Sequence, residues 1–150
     1  MATTAPLSEF ALFRNLPEEL LEKVAKLGEE ASFSHGDVIF REGDDADKLH
    51  FLLDGEVDLK VKLTSRPEHI TVSAVRQQFE SFGWSGIVSP FHYTASAFCE
   101  GDCKVLMLPG EGFMQLLNEN PEAGFIVMQR ITEIIASRLR NSRQALLKTL

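Results

Sequence analysis

A chain of 150 residues, 44% of them hydrophobic, is long enough to bury a real core as one domain. Its formal net charge of −7 argues against nucleic-acid binding as its main task, because phosphate contacts need basic clusters. Two cysteines are too few for a disulfide scaffold, no apolar run is long enough to cross a bilayer, and Met1-Ala2-Thr3-Thr4 does not open a secretory signal, so a cytoplasmic protein away from the membrane is expected.

In chain order, residues 1–6 are small and polar and predict a loose end. Helices are expected over 7–28. Phe10, Leu12, Phe13 and Leu16 form a short stripe, then Asn15 is a candidate cap with Pro17 in the first turn and acids behind it. Leu20, Leu21, Val24, Ala25 and Leu27 give this second helix its buried face, and Gly28 ends it.

The period then changes. Short runs around Phe33, Val38–Phe40, Leu49–Leu53, Val57–Leu63 and Ile70–Val75 alternate apolar and polar. Turn residues punctuate them at His35-Gly36-Asp37, Glu42-Gly43-Asp44, Asp54-Gly55-Glu56 and Ser65-Arg66-Pro67-Glu68. Strands this short and turns this frequent predict an antiparallel sandwich or roll over 30–109. Thr94–Cys99 and Cys103–Leu108 read as a hairpin across Glu100-Gly101-Asp102.

Inside that region, residues 79–97 have the grammar of a small-molecule site. Gly83 and Gly86 bracket Trp84 and Ser85, so the backbone can turn and offer N–H groups where a short helix begins. Ser85 and Thr94 add hydroxyls, Pro90 closes the helix, and Tyr93–Ala97 resumes as a strand. No Lys or Arg occurs between Arg76 and Lys104, so no local guanidinium neutralises a guest.

Helix returns over 110–150. Phe113, Leu116 and Leu117 make a short piece, and Pro121 opens a long helix. On it Phe125, Met128, Thr132, Ile135, Leu139, Ser142 and Leu146 fall at alternating steps of three and four, a seam for a second copy through residues 122–148. Val127, Ile131 and Ile134 give a second face for the chain's own core.

This order resembles the cyclic nucleotide-binding domain family, and more narrowly the sensor half of Crp/Fnr-type regulators. The likeness rests on Leu12-Phe13 with Leu16, Pro17-Glu18-Glu19-Leu20, Gly36-Asp37-Val38-Ile39-Phe40, Glu42-Gly43-Asp44, Leu49 to Val57, and Phe82-Gly83. It implies a mainly β fold with flanking helices: a double-stranded, jelly-roll-like β-roll followed by a long C-terminal helix. It also makes residues 79–97 the ligand cassette. Relatives that bind cyclic AMP or GMP carry Gly-Glu at the start of the cassette and Arg-Ser/Thr-Ala near its end, for the ribose and the phosphate. Here Trp84 follows Gly83 and Tyr93 precedes Thr94-Ala95, while Phe79-Glu80 stands where relatives often have Gly and an acid. Losing a buried charge partner typically costs about 3–5 kcal/mol, and a helix start returns about 0.3–1 kcal/mol. Ordinary cyclic-nucleotide binding is therefore disfavoured unless a distant basic residue such as Arg143 reaches in, and the ligand is expected to be another nucleotide-like, flat or hydrophobic molecule.

The candidate ligand-contacting residues are Phe82, Gly83, Trp84, Ser85 and Gly86, then His92, Tyr93, Thr94 and Ala95. Ser142 and Arg143 join them because the last helix lines the pocket in relatives. Trp84 and Tyr93 either wall a pocket or fill it. His92 reads as a ligand-facing group or a solvated loop residue, and His50 as an outward strand residue. Cys99 and Cys103 read as two ordinary thiols rather than a disulfide, and Arg138, Arg140, Arg143 and Lys148 as a solvated helix face. No nucleophile elbow, Walker loop or metal-ligand spacing is present, so neither catalysis nor a cofactor is expected. Regulators of this type continue into a DNA-reading domain after the long helix, whereas this sequence stops at Leu150, so no direct DNA contact is expected. The rival reading is a ligand-free dimerisation or interaction module that keeps the fold alone.

Overall fold

In the computed structural model, which describes residues 3–149, two long strands organise everything else. β3 (Lys48–Lys62) and β6 (Ser96–Pro109) run antiparallel along their whole lengths. Neither Asp54-Gly55-Glu56 nor Glu100-Gly101-Asp102 is a hairpin turn. Both are bulges in these continuous strands: Asp54 pairs with Lys104 and Glu56 with Glu100, so Gly55 stands opposite Gly101, Asp102 and Cys103. A left-handed glycine serves a turn or a bulge equally well, which is why the local sequence misleads. Gly55 has φ 91°, and a Cβ there would lie 2.4 Å from the Asp102 carbonyl oxygen.

This corner folds the β3/β6 ribbon onto itself. Its first half is flanked by β1 (Glu29–Phe33) on β6 and β5 (Ser81–Phe82) on β3. Its second half is flanked by β2 (Val38–Phe40) on β6 and β4 (His69–Val75) on β3. The two halves become the two layers of a jelly-roll-like β-roll. Cys99 and Cys103 flank the bulge, which brings their Cα atoms to 6.1 Å. Four residues of straight strand would hold them about 13 Å apart. The structure joins them as a disulfide, where two free thiols were expected.

The near-continuous burial of β3 from Leu49 to Leu53 follows from cover on both faces. Leu49, Phe51 and Leu53 face a core shared with the helices, while Leu52 faces the interior of the roll with Val57, Val75, Phe82, Ala97 and Val105. His50 follows the same alternation into the roll and is 3% exposed. It is not an outward strand residue, because helices cover the other side.

At the N-terminus, two 3₁₀ turns (Leu7–Glu9 and Ala11–Phe13) stand where one helical stripe was expected, and α1 spans Glu18–Leu27. Asn15 caps nothing; it adopts φ 63°, with Pro17 at the N-cap position. The expected loose end is tied down at Thr3, whose amide donates to the Ala25 carbonyl and whose hydroxyl donates to the Glu30 carboxylate. That hydrogen bond, more than the Lys104 ammonium beside it, holds the Glu30 carboxyl below its ordinary range. Met1 and Ala2 lie outside the described residues.

α2 spans Gly110–Glu119 and α3 Pro121–Thr149. The inner face of α3 buries Ala123, Val127 and Ile131, with Ile134 packed partly beneath them. Its outer face leaves Phe125 70% and Leu139 66% exposed, with Ile135 and Leu146 also open. These are positions of the seam read from the sequence. Among the described residues no helix is long and apolar enough to cross a membrane.

Candidate functional site

The cassette starts where β5 ends. Gly83 takes φ 76°, a left-handed conformation that lets the chain leave Phe82 and enter a 3₁₀ turn at Trp84–Gly86. Three residues make no extended helix. The Gly86 amide is satisfied by the Gly83 carbonyl and the Ile87 amide by Trp84, so the turn itself offers an anion little. Phe79 also has positive φ (72°), and its ring stacks on Phe10 at 4.5 Å.

Trp84 and Tyr93, the two aromatics expected in place of charges, part company. Tyr93 turns into the roll. Its ring stacks on Phe40 at 3.9 Å and its hydroxyl donates to the Lys48 carbonyl 3.2 Å away. Burial, and secondarily Asp47, pushes its phenol up to about 12. His50 and Phe82 complete the cluster, with ring centroids 5.2 Å apart. Burial drives the His50 imidazole down to about 3, so the ring is neutral, and its Nδ1 has no hydrogen-bond partner. The interior beside the cassette is thus filled by this protein's own rings.

Trp84 turns the other way. Its Nε1 donates to Ser81 Oγ at 3.4 Å, and the Arg138 guanidinium lies 4.5 Å above its ring centroid. Arg138, expected on a solvated face, is 6% exposed. Its Nη2 donates to the Glu80 carboxylate at 2.9 Å and also to the Ser81 carbonyl. Burial presses its pKa down while Glu80 holds it up. Its Nη1 is buried without a partner. Arg138 lines a cavity of about 260 Å³ between α3 and the strand leading into the cassette. Ser73 and Ala74 of β4, Gln77 to Ser81, and Ile134, Ser137 and Asn141 of α3 form its other walls, with Ala11 and Leu12 at one side.

The remaining candidates are spread out. Ser85, Ala95 and Ser142 are half-buried, and Thr94 and Arg143 are exposed. His92 is exposed, its Nε2 3.2 Å from the Asp45 carboxylate and its Nδ1 2.8 Å from the Pro90 carbonyl. Phe82, Gly83 and Tyr93 are brought together around Phe40 and His50. The α3 residues that line this cavity are Ile134, Ser137, Arg138 and Asn141, and Ser142 and Arg143 are not among them. A signal for Arg138 was available: it continues the stepping Val127, Ile131, Ile134 along the inner face, so a charge there is a charge placed in the core.

Chemically, one edge of the guanidinium is engaged and one donor is unspent, and an unmade hydrogen bond in a buried site costs about 1–3 kcal/mol. Among the described residues no group of three or more His, Cys, Asp or Glu is placed to hold a metal ion.

Residues 30–120 match the family model of the cyclic nucleotide-binding domain. The global nitrogen regulator of Synechocystis is 32% identical over 129 residues, 83% of this chain, and the chain spans about half (53%) of that regulator's length. A solved protein of Geobacter metallireducens, to which cyclic nucleotide binding is attributed, superposes with TM-score 0.77 at 32% identity, covering 93% of this chain and 99% of its own. The catabolite activator protein of Thermus thermophilus shares the fold with TM-score 0.72 at 24% identity, covering 90% of this chain and 61% of its own.

Proposed function

From a chain that belongs to the cyclic nucleotide-binding domain family, with Crp/Fnr-type regulators among its relatives, we propose a small-molecule-sensing regulatory module that does not answer to cyclic AMP or GMP in the usual way. The module has no catalytic role, and two copies associate through the outer face of α3. The observation that carries this reading is Arg138, a buried guanidinium that lines the cavity between α3 and the cassette strand and whose Nη1 has no partner. The guest is a small molecule with a carboxylate, phosphate or carbonyl oxygen. It contacts Arg138 from the cavity side and so alters how α3 is held against Glu80 and Ser81.

Two features support the exclusion of ordinary cyclic-nucleotide binding. The cassette supplies no guanidinium, and Tyr93 with Phe40 fills the adjacent interior. Cyclic AMP and cyclic GMP are expected to bind on the order of 0.1 mM or weaker, against the micromolar range an intact charge pair supports. Calorimetry with both nucleotides checks this; micromolar binding by the natural sequence overturns it. Native mass spectrometry of the purified protein and of Arg138→Gln then tests the site, with a bound small molecule expected on the first and absent from the second. The filled interior also favours a second reading, a ligand-free dimerisation module. A dimer that carries no guest and whose α3 amide exchange is unchanged by Arg138→Gln is its signature.

A further inference from the structure

On the other side of the cassette, α2 and the segment from Gly86 to Phe91 enclose a groove of about 820 Å³. One wall is a single face of α2, on which Glu111, Met114, Gln115 and Asn118 recur at helical spacing; the opposite face of this helix buries Phe113 and Leu117. The other wall carries Ala46, Asp47, Ile87 and Phe91. The floor is backbone. Gly86 and Gly110 pack so closely that a Cβ on Gly110 would fall 1.9 Å from the Gly86 carbonyl oxygen, and no side chain fills the space there.

The apolar lining is open. Phe91 is 48% and Val88 49% exposed, yet the segment is pinned: the Ala46 amide donates to the Phe91 carbonyl at 2.8 Å and the Phe91 amide to Val88 at 3.0 Å. Phe91 is held at φ 60°, an uncommon conformation for a bulky residue, with its ring at the groove. Among the described residues that line the groove, two are carboxylates, Asp47 and Glu111, and none is basic. The Lys48 ammonium lies 3.4 Å from the Asp47 carboxylate, on a side chain that does not line the groove.

We propose that this groove is a docking surface for a short apolar segment of another protein that carries Lys or Arg on its flanks. Ile87, Phe91 and Met114 receive the apolar anchors, and Asp47 and Glu111 receive the cations. The arrangement is that of a helix laid in a groove, in which anchors supply affinity and rim charges supply orientation. It shares no residue with the Arg138 cavity, so it stands or falls separately from the sensing role.

A synthetic 14-residue leucine–lysine helix, with a leucine–glutamate helix of equal length as control, is the probe. In an NMR titration of the isotope-labelled chain the lysine peptide is expected to shift the signals of Ile87, Phe91 and Met114 first, and the glutamate peptide to leave them unmoved. The charge reversal Asp47→Lys with Glu111→Lys, on exposed side chains, should weaken the lysine peptide at least about tenfold while the thermal transition stays cooperative. Shifts centred on another acidic surface, or affinity within about twofold after the reversal, overturn the proposal. So does self-association of an Ile135→Glu, Leu139→Glu variant that Met114→Glu abolishes, because the occupant would then be a second copy of this chain.

Discussion

His50 lies between the rings of Phe40 and Phe82 with an imidazole held neutral down to about pH 3. In an unfolded chain the same group takes a proton near its ordinary value of 6.5. Above that value it is neutral in both states and contributes no pH dependence. As pH falls from about 6.5 towards 3, the unfolded state binds the proton and the folded state does not, so stability is lost at up to about 1.4 kcal/mol per pH unit. Urea unfolding at pH 7 and 4.5 is expected to show about 2–3 kcal/mol of this loss, and His50→Leu to remove that share of it. An unchanged pH slope in the variant would mean that the imidazole is protonated inside the roll. Residue by residue, the rest of the site divides in the same way. Tyr93 is committed to the interior, while Trp84 serves as the platform under Arg138. Two positions of the cassette therefore do opposite jobs, one closing a space and the other holding a cation at the edge of a different one.

Among the elements, α3 has two fates on one helix. Its inner stripe is core, and its outer stripe leaves Phe125, Ile135, Leu139 and Leu146 bare, the face proposed above for contact between two copies. Sedimentation at micromolar concentration is expected to show a dimer. Ile135→Glu with Leu139→Glu should weaken it at least about a hundredfold while leaving the thermal transition of the roll in place. A monomeric natural sequence defeats this.

The helix faces and most strands were legible because their periods are local properties of the chain. The corner of the roll was not. Gly55 and Gly101 look like hairpin turns until long-range pairing shows β3 and β6 continuing through them. His50 was misjudged because strand alternation says which residues share a face but not which face the helices cover. The opposed directions of Trp84 and Tyr93 depend on α3 and on Phe40, distant in sequence from both, and no local pattern contains them.

For the whole molecule, charge is unevenly spread. After Glu133 the chain has Arg138, Arg140, Arg143 and Lys148 and no acid, so the preceding part is more acidic still than the net −7. Of these four, Arg138 is spent inward. An acidic body with so few outward cations should not hold duplex DNA. Fluorescence anisotropy with random duplex at physiological salt is expected to show no binding up to about 0.1 mM, and a salt-dependent curve in the micromolar range would contradict this.

Arg138 is also the last buried residue of α3 among those described, and the helix runs on from it to Thr149. At 1.5 Å per residue that last stretch is about 16 Å long, and under the proposed sensing role it works as an arm whose fulcrum is the guanidinium. A tilt of about 10° at the fulcrum sweeps the tip through about 3 Å, close to the length of a hydrogen bond. The mechanical advantage is set by where along the helix the arginine falls. Moving it one turn nearer the tip would shorten the arm by about 5 Å and cut the sweep by roughly a third.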